Sequence, residues 1–117
     1  MNVGICVRHA QEGMDEAFAA AVAQGFNHCQ LISWNPTLWT AENAVQIKAL
    51  SEKHGMTITA FWCGWEGPKM WNFVEGPETL GIVPPAYRAR RVQNLLDGAA
   101  YAKLLGVQDV VTHMGFI

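Results

Sequence analysis

The 117-residue chain is short of charge and has almost no excess of either sign. Asp, Glu, Lys and Arg make up 15% of it, and the formal net charge is −2. Such a chain offers no basic field to hold a phosphate backbone, which argues against nucleic acid as a partner. Long apolar runs are missing as well. None approaches the roughly 18–20 residues of a membrane span, so no membrane is expected. The opening "MNVGICVRHA" lacks the basic and then apolar pattern of a secretory leader. Cysteine is scarce: Cys6, Cys29 and Cys63 are odd in number, far apart and set in apolar runs. That spacing suits neither a disulfide set nor zinc-ligand pairs; it is expected of reduced, buried thiols in a cytoplasmic protein. Cys63, at a strand end, is the only one near candidate chemistry. A glycine-rich phosphate loop is absent too, because the link after the first apolar run reads "RHAQEGMDE", without GxGxxG or a Walker lysine.

What the chain does have is a hydrophobic half, 50% of its residues, arranged in a repeated unit. Gly25 opens "GFNHCQLISW", Gly55 opens "GMTITAFWCG" and Gly106 opens "GVQDVVTHMG". Each follows a helical stretch and leads into an apolar run, the place of a glycine just past a helix end, where a left-handed conformation is needed. Helical spacing precedes each one. Met14, Phe18, Ala21 and Val22 share one face of the first helix. Ala44, Ile47 and Leu50 do so in the second, with Thr40 as its N-cap. Val92, Leu95, Leu96 and Ala99 form the expected inner stripe of the third, which starts near "PPAYRARR". The runs "VGICV", "CQLISW", "TITAFWC" and "DVVTH" read as parallel strands covered on both faces.

The order strand–helix–strand–helix–strand–helix–strand predicts an α/β fold with right-handed crossovers. A full (β/α)8 TIM barrel takes about 250 residues; four strands in 117 residues fit its first half. Residues 1–117 are therefore read as one partial domain, the N-terminal half of a TIM barrel.

Ligands in such folds bind at the C-terminal ends of strands. Those ends carry Arg8 and His9, then Ser33, Trp34 and Asn35, then Trp62, Cys63, Trp65 and Glu66, and finally His113. The link "GWEGPKMWNFVEGPETLGIVPP" is too long for an ordinary connection and too aromatic for disorder, so it is expected to form a lid or wall over a pocket.

Residues 60–117, with the tryptophan-rich loop, "LGIVPP" and "THMGFI", resemble the bacterial sugar phosphate isomerase/epimerase family of xylose isomerase-like TIM barrels, and the resemblance extends over the rest of the chain. It implies an isomerase or epimerase that moves a proton next to a carbonyl of a sugar or sugar phosphate. It also implies a divalent metal (Mn, Co, Mg or Zn) in the full-length enzyme. In relatives two Glu, one Asp and one His from the later strands hold that ion. No metal ligand is therefore assigned within this chain, which alone is expected to be inactive and to bind Mn²⁺ or Co²⁺ weakly.

His113 is the candidate catalytic residue. Counted from its glycine it occupies the place that Ile32 and Trp62 hold in their units, where an imidazole can bond a hydroxyl or shuttle a proton. Trp34 and Trp62 are substrate candidates, as flat faces for the C–H side of a sugar. Glu66 and His9 are further substrate candidates at the same mouth. Trp65 and Trp71 are expected to build the loop's own small core. Arg88, Arg90 and Arg91 are expected on a solvated face, and His28 and His54 on the opposite, stability end.

Two other functions compete. An AP endonuclease of the endonuclease IV type is similar in fold, but such enzymes place metal-binding histidines where this chain has Trp34 and Trp62. A standalone half-barrel would act as a binding or assembly module, self-associating through its exposed strand edges.

Overall fold

In the computed structural model, which describes residues 2–116, four strands alternate with helices in the expected order. They are β1 (Ile5–Arg8), α1 (Met14–Ala23), β2 (His28–Ser33), α2 (Ala41–Lys53) and β3 (Thr57–Cys63), then α4 (Pro85–Leu105) and β4 (Asp109–Val111). A 3-10 turn, Pro36–Leu38, follows β2, and one helical turn, α3 (Gly76–Thr79), interrupts the long connection 64–84. The sheet order is β1-β2-β3-β4 with every pair parallel. Consecutive strands stay neighbours, as in a barrel; a doubly wound sheet would reverse direction at a switch point.

The three helix-ending glycines share one backbone device. Phe26 N–H donates to Ala21 and Gly25 N–H to Val22. Met56 and Gly55 donate likewise to Ser51 and Glu52, and Val107 and Gly106 to Ala102 and Lys103. These are Schellman motifs, and the glycines take φ of 90°, 64° and 77°. At the other end of α2, Thr40 Oγ1 accepts from Asn43 N–H at 3.2 Å, the N-cap its sequence position predicts.

The core lies between the sheet and the helices. Val7, Leu31 and Phe61 from the strands meet Phe18, Ala21, Ile47, Tyr101 and Leu105. Burying a side chain such as Phe18 or Phe61 contributes about 1.5–3 kcal/mol. Asp15 in the first turn of α1 bonds Lys53 at 2.7 Å and also His54, tying α1 to the end of α2. Hydrogen bonds from Lys53 and His54 hold the Asp15 carboxyl below its ordinary pKa.

Of the stripe expected on the last helix, Leu95 packs against the core, and the rest is corrected. Val92 and Leu96 are exposed, whereas Arg91, Asn94, Gly98, Tyr101, Ala102 and Leu105 face inward. Hydropathy misleads here because Arg91 and Asn94 are polar yet serve buried loop groups. Gly98 is apolar by necessity: a Cβ there would stand 2.2 Å from Cys63 Sγ, so glycine lets α4 approach β3.

The expected level of His113 is also corrected. Arg8, Ile32, Trp62 and Val111 stand in register across the four strands, so Val111 holds the level of Ile32 and Trp62 and His113 lies two residues beyond it. Ile32 and Trp62, at equal counts, stay level, so the offset enters between β3 and β4, as barrel strands are sheared relative to one another. Equal counts from a helix end therefore do not mean equal height.

Candidate functional site

Strand alternation divides the side chains into two sets. On β2, Cys29, Leu31 and Ser33 are buried toward the helices, while Gln30 and Ile32 take the opposite, concave face. On β1, Val7 is buried and Arg8 is exposed. At the C-terminal ends of the strands the concave face opens into a cavity of about 520 Å³ lined by Arg8, Ile32, Trp34, Trp62, Lys69 and Trp71.

Three tryptophans shape it. Trp34 lies 6.2 Å from Trp62 and 6.3 Å from Trp71, ring centre to ring centre, and meets the buried Trp65 edge-on at 5.1 Å. Gly64 makes room for this: a Cβ there would stand 2.4 Å from Trp34 Cε3. Lys69 places its ammonium 5.4 Å over the Trp34 ring, a cation–π arrangement.

The wall that carries Lys69 and Trp71 is held by Arg91 of α4. Arg91 Nη1 donates to the carbonyls of Thr79 and Gly81, each at 2.7 Å. Its Nη2 donates to Pro68 at 2.8 Å and its Nε to Glu66 at 3.3 Å. The guanidinium lies 4.5 Å from the Tyr87 ring centre and 5.3 Å from that of Trp65. Arg91 is 1% exposed, so its expected place on a solvated face is corrected. A fork of fixed donors suits a loop whose carbonyls turn inward. Arg88 does similar work at the surface, donating to Ile82 and Val83. The same wall meets the chain beyond β4, where Ile82 and Val83 both donate to the Met114 carbonyl.

The expected site residues divide accordingly. Trp34 and Trp62 line the cavity. His113 stands beside it, half-buried, edge-on to Trp71 at 5.0 Å. Its Nδ1 accepts from Gly115 N–H at 3.1 Å, which leaves the proton of the neutral ring on Nε2. Glu66 does not line the cavity: it pairs with Arg90 at 3.1 Å and receives Asn94 at 3.4 Å. Its expected place at the mouth is corrected, because Asn94 also accepts from Glu66 N–H and holds the residue against α4.

His9 is corrected too. One residue past Arg8, it points to the helix side and is 5% exposed. Its Nδ1 lies 3.0 Å from Ser33 Oγ, and its ring stacks on Tyr101. Trp39 Nε1 donates to Ser33 Oγ at 2.7 Å, which leaves the serine hydroxyl free to donate to a neutral His9 Nδ1, while Nε2 lies 3.5 Å from Tyr101 Oη. That order needs a neutral imidazole, and burial lowers its pKa to about 4.

Cys63 is withdrawn from candidate chemistry. It is fully buried, its Sγ faces the carbonyls of Gly64 and Asn94, and burial pushes its pKa up to about 12. Cys6, expected to be buried, is exposed on the concave face. Arg8 and Lys69 are cavity residues that sequence reasoning did not assign to the site, and Trp71, expected with Trp65 in the loop's own small core, is corrected: it is 55% exposed and lines the cavity, while Trp65 is buried as expected. Arg8 was at hand in the strand-end list, while Lys69 and Trp71 depend on a loop path that no periodicity describes.

Among the described residues no three His, Cys, Asp or Glu side chains converge. The donor set present here does not fit the oxygen-rich cage that a hard divalent ion takes. Among those residues, too, no helix is long and apolar enough to cross a membrane.

No protein-family model matches the chain, and no curated protein matches it significantly. Among solved structures it is similar to a xylose isomerase domain protein from Planctomyces limnophilus, with a TM-score of 0.86 and 22% identity. The match covers 98% of this chain and 41% of that one, so the chain spans about two fifths of the solved structure's length. With four consecutive parallel strands, the chain has the fold of the N-terminal half of a xylose isomerase-like TIM barrel.

Proposed function

We propose that the chain supplies the sugar-binding wall of a barrel isomerase or epimerase that moves a proton next to a carbonyl. The observation that carries this is the cavity at the strand ends, walled by Trp34, Trp62 and Trp71. Indole faces accept the C–H side of a pyranose or open-chain sugar and exclude water from it. His113 Nε2–H, next to Trp71, is the group we assign to a substrate hydroxyl or to proton shuttling. The divalent ion of such chemistry polarises the carbonyl when bound. Its ligands belong, in this proposal, to later barrel strands.

The test follows the reading frame past Ile117 and then assays the longer product. Incubation with a panel of ketoses and aldoses in D₂O, with Mn²⁺ or Co²⁺ present, is expected to put deuterium on the carbon next to the carbonyl. Trp34→Ala is expected to reduce the exchange at least tenfold. A longer, folded product that exchanges no sugar would remove the isomerase reading.

A second reading is favoured by one observation. β1 and β4 are the outer strands of the sheet, and the concave face between them carries Val111 at 38% exposure. Two copies of the half-barrel, pairing β4 of one with β1 of the other, would close an eight-stranded ring.

A further inference from the structure

The polar bonds that fix the cavity's wall lie at its two roots. Arg91 holds the carbonyls of Glu66 and Pro68 at one root and of Thr79 and Gly81 at the other. Each root carries a left-handed glycine, Gly67 at φ 87° and Gly81 at φ 68°. Between the roots, residues 69–78 bond among themselves. Met70 N–H donates to Thr79 Oγ1 at 3.1 Å, and that hydroxyl donates to the Glu75 carbonyl at 2.7 Å. Asn72 Oδ1 accepts from the N–H groups of Val74 and Glu75. Among the described residues no hydrogen bond or ion pair runs from 69–78 to a strand or to α1, α2 or α4. Ring contacts hold the segment down instead: Lys69 over Trp34, Trp71 against Trp34 and His113, and Phe73 against Phe116.

The closed segment also leaves two donors unpaired. Among the described residues, the indole Nε1 atoms of Trp62 and Trp65 are buried and have no acceptor. Both rings border the segment: Trp62 shares the cavity wall with Lys69 and Trp71, and Trp65 lies 6.4 Å from Trp71. A buried donor without a partner is destabilising. We propose that residues 69–78 form a flap that lifts as one piece about the roots held by Arg91, and that the indole N–H groups of Trp62 and Trp65 gain partners when it opens. Ring contacts favour the closed form, and the two unpaired donors favour the open one. Such a flap gates the cavity, because Lys69 and Trp71 leave its mouth together. The gate works in the same way whichever ligand the cavity takes.

The test is hydrogen exchange followed by NMR on the indole and backbone N–H groups, with the indole signals assigned through Trp62→Phe and Trp65→Phe. Trp39, whose indole donates to Ser33, is the internal reference. The indole protons of Trp62 and Trp65, though buried, are expected to exchange at least tenfold faster than that of Trp39, and at one common rate, since a single opening exposes both. The amides of Met70, Val74 and Glu75 are expected to keep their protection, because their bonds travel with the flap. Lys69→Gln removes the cation over Trp34 and is expected to raise both indole rates together by about two- to fivefold, with the melting temperature unchanged. Indole protons of Trp62 and Trp65 that exchange as slowly as that of Trp39 overturn the proposal, since the wall is then fixed. Loss of protection at Met70, Val74 and Glu75 in step with the indoles also overturns it, because the segment then melts and does not lift as a unit. So does a response to Lys69→Gln at one indole alone.

Discussion

The guanidinium of Arg91 stands 5.3 Å from the ring centre of Trp65, and both side chains are sealed from solvent at 1% exposure. Through this pair α4 holds the whole wall 64–84 against the strand ends. Arg91→Ala leaves the inward carbonyls of Glu66, Pro68, Thr79 and Gly81 without their donor. The expected loss is at least about 3 kcal/mol in urea unfolding, since each orphaned buried acceptor costs about 1–3 kcal/mol. Arg91→Lys restores only part of it, because an ammonium cannot present the same fork.

Gly64→Ala tests how the cavity is shaped. The added Cβ would meet Trp34 Cε3 at 2.4 Å and the Ser33 carbonyl at 2.7 Å, so Trp34 must leave its place. Shifted tryptophan emission and a stability loss of about 1–3 kcal/mol are expected, as for an overpacked core. Unchanged emission would mean that Trp34 does not rest on Gly64.

His9 gives stability a pH dependence. The unfolded chain takes up a proton near the ordinary value of 6.5, while the buried ring does not until about 4. Stability from this residue is fully present above 6.5, falls as the pH drops through that window, and levels off below it. The total is on the order of 3 kcal/mol. Replacing His9 by Gln, with urea midpoints measured from pH 7 to pH 4, should flatten this part of the slope.

The cysteines should separate by reactivity. Cys6 is exposed, whereas burial pushes Cys29 up to about 11 and Cys63 up to about 12. One thiol per chain is expected to react with an aromatic disulfide reagent in native buffer, and all three in denaturant. Two fast thiols in the native protein would contradict the placement of Cys29 or Cys63.

The 117-residue chain expressed by itself is expected to self-associate, because β1 and β4 both present unpaired edges in the sheet. Size exclusion at micromolar concentration should show a dimer or larger species. A sharp monomer peak would count against the half-barrel assembly.

Much of the architecture was legible because its signals are local. Gly25, Gly55 and Gly106 end helices wherever the backbone must turn left-handed, and Thr40 caps α2 through a bond three residues away. The candidate site was legible only in part. Trp34 and Trp62 were found because strand ends can be read from the repeat. His9 and Glu66 were misplaced because the direction of a side chain depends on one residue of alternation and on partners such as Ser33 and Asn94, which lie far along the chain.

The amino-acid sequence by itself determined the α/β class, the order of elements and the strand ends at which the candidate site lies, since periodicity and helix-ending glycines act over a few residues. Only the tertiary structure decided that Arg91 lies inside, that His113 stands beyond the level of Trp62, and that Arg8 and Lys69 share one cavity. Each of these depends on strand shear or on the path of a long loop, and both are set by contacts between residues far apart in the chain.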